Sequence, residues 1–443
     1  MRGIDGALSV MNDVERGMFA SESMRRTLRD IEPAERKLAA SLVYVTLRRM
    51  GLWKHLLAKF CRHPAASLSR ETVTCLIVGI AGVLELEHFK PGVLVNALVQ
   101  RVKTAAREDS REAPLVNAVL HTIMEEAPAY IENIKASQAL RDQALAFGVP
   151  GWVAADWGKE FGVKEARRLI QLSTSRTWMS LRASSPDDRD ALISECAAFS
   201  AAKSDMTECG IRLKANPYPP DVPGYAEGRL TPQTESSMAA VETLLSIRHG
   251  SRLLDMCMGR GVKAGHILTR CPEAELEGWD LSPARIRAAE REFARLGVKS
   301  RYRTVCGDAG SIEPETRPDA IILDAPCSGS GTWGRHPDGK WRATPAGVEK
   351  LTRLQKKLLA KGCEILRSGG IIMYCTCSVF REENEDVAGS VMASRNDMVE
   401  LPIKTGIASS RRGKPYGTVI WPETPWLDGF YIVVFKKKGR TEF

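Results

Sequence analysis

No stretch of this sequence is apolar for long enough to cross a bilayer. The longest apolar run, Val73 to Leu84, falls short of the roughly 20 residues that a membrane helix needs. The first thirteen residues lack a basic start followed by an apolar stretch, so no secretory signal is legible. None of the 11 cysteines stands in a CxxC pair. An odd count without a framework, in a chain without a signal, reads as reduced thiols in the cytoplasm. Cys375 and Cys377 are one residue apart, poor spacing for zinc, and no metal is expected. Internal repeats and low-complexity tracts are missing. So is a GxxxxGK[ST] phosphate loop. Charge of one sign does not dominate either: 63 basic against 54 acidic residues leave +9. That excess permits a polyanionic partner without requiring one. It is spread along the chain apart from a short basic end, Lys436-Lys437-Lys438-Gly439-Arg440.

What is present is ordinary globular material. Of 443 residues, 44% are apolar and 26% charged, enough for real cores and too apolar for a disordered chain. The length suggests two or three domains.

Residues 1 to about 140 read as helices. Leu38, Leu42 and Val45 lie on one face of a segment that Gly51 would stop. Val73, Ile77, Ile80 and Leu84 form a second stripe, Leu94, Leu98 and Val102 a third, and Leu115, Val119 and Ile123 a fourth. Pro91, Pro114 and Pro128 fit as punctuation between them. The pattern is that of an all-helical bundle. Residues 141 to about 230 are less regular. Trp178 to Arg182 alternates like a strand, a helical stretch runs near Ala191 to Ala202, and Asn216 to Pro220 is a loop. This region is expected to be a small α/β connecting subdomain.

Beyond about residue 231, strands alternate with helices. Ser251–Cys257, Glu275–Asp280, Arg301–Cys306, Ala320–Asp324, Gly370–Cys375 and Phe430–Phe435 are the strand candidates. Between the second and third, Ser282 fits as a cap, Pro283 as the first turn and Gly297 as the stop of a helix. Such alternation predicts an α/β, Rossmann-like fold with a mostly parallel sheet, whose ligands bind at the carboxyl ends of the strands.

Those ends carry the chemistry. Asp255-Met256-Cys257-Met258-Gly259-Arg260-Gly261 follows the first strand, and its two glycines permit close backbone approach to a ligand. Asp280, Asp308 and Asp324 end the next three strands. Any one of these is as well read as a turn or cap residue, but four acidic residues at successive strand ends point to a nucleoside cofactor. A carboxylate at the position of Asp280 can accept from both hydroxyls of a ribose. Val262-Lys263-Ala264 follows Gly261, so the third glycine of a dinucleotide loop is missing. Two thiols lie in polar loops at the same edge: Cys327, in Asp324-Ala325-Pro326-Cys327-Ser328, and Cys377, in Tyr374-Cys375-Thr376-Cys377-Ser378. Cys61, Cys75 and Cys363 instead fit buried filler.

With Asp-Ala-Pro-Cys, Thr-Cys-Ser, Arg335-His336-Pro337-Asp338, Lys340-Trp341 and Glu382-Glu383-Asn384, the chain resembles the RsmB/Nop2/Sun family of RNA cytosine-5 methyltransferases. Within it, the bacterial branch acting on small-subunit ribosomal RNA is the most similar. The likeness is strong from Gly228 to Phe435 and looser before. Val116-Asn117-Ala118-Val119-Leu120 and its surroundings resemble the NusB-like domain of that branch. The resemblance implies a NusB-like RNA-binding domain over 1–140, the connecting subdomain over 141–230, and a class I, S-adenosylmethionine-dependent methyltransferase domain over 231–443. It implies that Cys257, Met258, Gly259, Arg260, Gly261, Val262 and Lys263 cradle the cofactor. Asp280 would bind its ribose, Asp308 would lie on the adenine side, and Asp324 near both cofactor and base. Cys377 would be the nucleophile and Cys327 the product-release thiol, with Asp324 and Lys263 assisting. The implied partner is RNA, ribosomal above all, met by a cytoplasmic monomer without membrane. Two departures stand out. The family's first loop reads Ala-Pro-Gly-Gly-Lys where this chain has Gly259-Arg260-Gly261-Val262-Lys263, and Cys375 adds a third thiol. Three other readings remain: the same chemistry on transfer RNA; a non-catalytic RNA-binding assembly or antitermination factor; and Cys327 as nucleophile, as in the DNA cytosine-5 enzymes.

Overall fold

The computed structural model describes residues 2–87, 89–105, 111–175, 177–298, 300–403, 406–407, 409–424 and 426–439; Met1 and the Arg440 of the basic end lie outside them. The chain divides into two compact units. One comprises Met1–Ser175 with Trp333–Arg342, the other Arg176–Thr332 with Ala343–Phe443.

The first unit is helical. The apolar stripes pack as their spacing requires, with Leu42, Ile80, Leu98, Val119 and Ile123 buried in one core. Two punctuation marks sit differently from expectation. Gly51 ends nothing: the break falls at Arg49, between the helices Pro33–Arg48 and Met50–Phe60. Gly51 is needed in the second helix because a Cβ there would meet the Trp341 ring at 2.8 Å. Pro128 lies inside the helix Glu112–Ala136. An interior proline forfeits one backbone bond, but burial of Ile123, Ala127, Ile131 and Ile134 on both sides carries the helix through. Residues 140–172 are also helical (Leu140–Ala146, Gly151–Phe161, Val163–Leu172) and belong to this unit. The first division therefore falls at 175, not near 140.

Trp333–Arg342 sits in this unit although its sequence neighbours do not. Lys340 is fully buried and donates through Nζ to the Arg48 carbonyl at 2.7 Å, while Trp341 Nε1 donates to the Leu47 carbonyl at 2.6 Å. These carbonyls are orphans at the end of Pro33–Arg48, which explains why a cation and a ring N–H stand there. Burial, then the charges of Arg48 and Arg49, hold the Lys340 ammonium well below the usual lysine range.

The second unit opens with a four-stranded antiparallel sheet in the order β2-β3-β1-β4, built from β1 (Met179–Ala183), β2 (Ala201–Lys203), β3 (Gly210–Leu213) and β4 (Leu230–Pro232). The helix expected over 191–202 is Pro186–Glu195, started by the Ser185 cap on the Asp188 N–H. It ends early enough for β2 to form.

The large sheet holds β5 (Arg252–Asp255), β6 (Glu275–Asp280), β7 (Tyr302–Cys306), β8 (Ala320–Asp324), β9 (Ile371–Thr376), β10 (Met398–Glu400), β11 (Ser410–Arg412), β12 (Thr418–Ile420) and β13 (Phe430–Lys437). Its order is β11-β12-β13-β9-β8-β5-β6-β7, with β10 on β13. The five strands from β7 to β9 are parallel, and β13 runs antiparallel to β9. Their residues alternate between two cores. Leu253, Ala320, Ile322, Ile371, Met373 and Cys375 face one; Leu254, Ile321, Leu323, Ile372 and Tyr374 face the other. This period of two matters for the site. It sends Asp255, Asp324 and Cys375 to the same face, and Asp324 stands directly opposite Cys375 in the β8–β9 register. Among the described residues no helix is long and apolar enough to cross a membrane.

Candidate active site

The loop after β5 is held by its neighbours' polar atoms. Asp280, buried at the end of β6, accepts from the Gly259 N–H at 3.0 Å on Oδ2 and from the Ser282 N–H at 2.8 Å on Oδ1. Ser282 is the N-cap of the helix Pro283–Arg295, but its side chain makes no cap bond; the strand-end carboxylate takes its N–H instead. A carboxylate offers about four acceptor positions, so each Asp280 oxygen keeps capacity for a hydroxyl donor. Gly259 has φ +60°, and a Cβ there would meet nothing within 4 Å: the loop is open on that side. Gly261, φ +78°, starts the helix Val262–Arg270, and its Cβ would strike Ala289 at 2.8 Å and the Phe293 ring at 2.9 Å. An open glycine face beside a carboxylate with acceptors to spare fits a cofactor that presents ribose hydroxyls.

The other loop residues divide by role. Met258 is buried and gives its N–H to the Trp279 carbonyl at 2.8 Å, so its side chain serves the core. Cys257 is half-buried, and burial followed by the charge of Asp255 pushes its thiol above the usual cysteine range. Arg260 is exposed, and Val262 is the half-buried first residue of the helix. Asp308 lies two residues past β7. It is exposed, accepts from the Gly310 N–H at 2.9 Å and the Ser311 hydroxyl at 3.1 Å, and faces Lys357 at 3.5 Å.

Lys263 is not a solvent-facing lysine. It donates to Asp324 Oδ2 at 2.5 Å and lies 5.5 Å from the Phe430 ring centroid. Burial opposes its charge, but Asp324 foremost, then Cys375 and Cys377, outweigh that, and the ammonium is held above the usual lysine range. Cys375 reaches Asp324 Oδ1 at 3.7 Å. Burial first, then Asp324, keeps that thiol well above the usual range. Asp324 is thus gripped on both oxygens while a third of its side chain stays exposed at the strand end.

Just beyond, the Cys327 and Cys377 sulfurs stand 3.3 Å apart. The hydrogen bond with Cys377, then burial, holds the Cys327 thiol well above the ordinary cysteine range. A protonated thiol against a second sulfur can stabilise a thiolate there.

Sequence reasoning gave Asp255 no individual role. It is buried, and burial, then the charge of Asp324, raises its pKa to about 7. A carboxyl shifted upward favours the fold at low pH, and that contribution is lost as pH climbs from about 4 to about 7. Asp255→Asn should therefore gain stability relative to the parent across that window, by on the order of a few kcal/mol. Thermal unfolding from pH 4 to pH 8 reads this, and parallel curves for the two proteins would refute it.

Residues 242–436 match the family model described as 16S rRNA methyltransferase RsmB/F, and residues 7–125 match the NusB family. The chain is 29% identical over 435 residues to ribosomal RNA small subunit methyltransferase B of Thermus thermophilus, covering 97% of this chain and 96% of that one. The protein of the same name from Vibrio cholerae is 26% identical over 433 residues, 96% and 95% of the two chains. Among solved structures, PH0851 aligns over 98% of both chains with a TM-score of 0.81 at 20% identity. NSun6 from Pyrococcus horikoshii, solved with SFG, covers 65% of this chain and 98% of its own with a TM-score of 0.59 at 19% identity. The structural likenesses establish the fold.

Proposed function

We propose that this chain, whose residues 242–436 match the RsmB/F methyltransferase model, forms 5-methylcytosine in small-subunit ribosomal RNA through a covalent bond from Cys377 to carbon 6 of the target base. The observation that carries this reading is the pair of sulfurs 3.3 Å apart beside the Lys263–Asp324 ion pair.

S-adenosylmethionine supplies an electrophilic methyl group on its sulfonium when bound. Residues 257–263, Asp280, Asp308 and Asp324 are the groups proposed to hold it, Asp280 at the ribose and Asp308 on the adenine side. Carbon 5 of cytosine is a poor nucleophile. Addition of the Cys377 thiolate at carbon 6 breaks the conjugation of the ring and makes carbon 5 enamine-like, which is covalent catalysis. Asp324, fixed by Lys263, can accept from the exocyclic amine as charge shifts in the ring. After methylation the carbon-5 proton leaves to a base and the carbon–sulfur bond breaks. The Cys327 thiol, next to the departing sulfur, hydrogen-bonds the re-forming thiolate and so assists release. The helical unit is proposed to help position RNA, in a cytoplasmic monomer that needs no metal.

Bisulfite sequencing of total RNA with and without the protein tests the reading. Loss of protection at a cytosine of small-subunit RNA is expected. A changed cytosine in transfer RNA would reassign the substrate, and no changed cytosine anywhere would favour a non-catalytic factor. A second expectation concerns the cofactor. Asp280→Ala removes both a ribose acceptor and the tether on Gly259, and should weaken S-adenosylmethionine binding by about 1.5–3 kcal/mol. Calorimetry giving equal affinities would remove Asp280 from the site.

A further inference from the structure

Glu382-Glu383-Asn384 makes a single turn after β9, just before the helix Glu385–Met392. Glu383 and Asn384 are buried completely or nearly so. Their hydrogen bonds follow a common pattern. The Glu383 carboxylate accepts from the Ser328 N–H at 2.9 Å, the Ser328 hydroxyl, and the Gln355 amide at 3.0 Å. That amide also donates to the Pro326 carbonyl at 2.8 Å. Pro326 and Ser328 are the two residues flanking Cys327. Asn384 accepts from the Thr376 hydroxyl at 2.5 Å and donates to the Ser378 carbonyl at 3.0 Å. Thr376 and Ser378 are the two residues flanking Cys377. Adjacent residues of one turn therefore each bracket one thiol. The turn itself is anchored by the Tyr374 hydroxyl, which donates to the Glu383 carbonyl at 2.5 Å.

From this pattern we infer that Glu383 and Asn384 are positioning residues with divided duties: Glu383 sets Cys327 for release, and Asn384 sets Cys377 for attack. The inference rests on the proposed reading in which Cys377 attacks and Cys327 releases. The physical reason is that a thiol in a polar loop has no secondary structure to fix it. Hydrogen bonds to the residues on both sides remove that freedom. A displacement of about 1 Å at a reacting group costs about 100-fold in rate. A carboxylate suits the Cys327 side because every partner there is a neutral donor: one backbone N–H, one hydroxyl and one amide. An amide suits the Cys377 side because one partner donates and the other accepts. Glu383 also adds its charge to the influences holding Cys327 protonated, consistent with a thiol that acts after the attack.

The test uses the full-length protein, S-adenosylmethionine and in vitro transcribed small-subunit ribosomal RNA. Multiple-turnover methylation and the covalent adduct on denaturing gels are read together, with Cys327→Ala and Cys377→Ala alongside. Glu383→Gln turns an acceptor into a donor against Ser328. It should lower turnover by about 100-fold while the adduct accumulates. Asn384→Ala should lower turnover similarly with little adduct formed. Affinity for S-adenosylmethionine should change less than about two-fold in both, and cofactor affinity with an unchanged unfolding midpoint identifies folded protein. If Glu383→Gln fails to fold, Ser328→Ala removes a hydroxyl that donates to Glu383 and also meets the Ser378 hydroxyl at 3.3 Å; because the Glu383 bond is the shorter of the two, it should give partial adduct accumulation. A folded Glu383→Gln variant that loses turnover and adduct together, as Asn384→Ala is expected to, would overturn the inference, since a purely structural network predicts the same result for both. So would a wild-type balance of adduct and turnover in Glu383→Gln or Ser328→Ala while the cysteine variants behave as the reading requires. An adduct that persists in Cys377→Ala and vanishes in Cys327→Ala would instead overturn the reading itself, and the division of duties with it.

Discussion

Replacing Cys377 with alanine should abolish methyl transfer and the protein–RNA adduct together. Without a sulfur at this position carbon 5 is never activated, and Cys327 sits on the neighbouring loop, not at the same point. Loss of a covalent nucleophile costs on the order of 10⁴- to 10⁶-fold, so incorporation of labelled methyl groups into RNA should fall below detection. Binding of S-adenosylmethionine should be unchanged, because residues 257–263 and Asp280 lie on other loops. Substantial residual methylation by a homogeneous Cys377→Ala preparation would assign the attack elsewhere.

Cys327→Ala should have the opposite signature. The Cys327 thiol is held protonated by its contact with Cys377 and by burial, so it can donate to a Cys377 thiolate 3.3 Å away. That hydrogen bond stabilises the free thiolate and not the carbon–sulfur adduct. A charged hydrogen bond contributes about 1.5–3 kcal/mol. Its removal should shift the balance toward adduct by roughly 10- to 150-fold. RNA should then be attacked and retained, visible as a slow-migrating species that survives denaturation, with turnover lost. Free release at the parent rate would deny Cys327 its role.

The parts of this site that sequence reasoning reached are those with local signals. Strands β5 and β8 read as short apolar runs ending in Asp255 and Asp324, because side chains buried on both faces leave little room for polar residues until the strand ends. The two thiols stood out because they lie in polar loops where filler cysteines do not belong. What escaped depends on distant neighbours. Strands β10, β11 and β12 have three residues each, too few for a period. Pro128 and Gly51 were misread because burial of the surrounding helix and the Trp341 ring decide their context. Lys340 and Trp341 look like catalytic-domain signatures, yet they cap a helix hundreds of residues earlier in sequence. Asp308 lies two residues past the end of β7, where its carboxylate accepts from the Gly310 N–H and the Ser311 hydroxyl. Glu383 and Asn384 carried a recognisable motif whose purpose became legible only with the residues flanking each cysteine beside them.

The attack by Cys377 on carbon 6 is the claim on which the rest depends. Peptide mapping by mass spectrometry of the adduct between the parent protein and small-subunit RNA containing 5-fluorocytidine tests it directly, since fluorine at carbon 5 cannot leave as a proton does and the bond is trapped. The account predicts a nucleotide mass on the peptide carrying Cys377, with Cys327 unmodified. A nucleotide on Cys327, or no adduct with RNA that the protein methylates in its unfluorinated form, would contradict it.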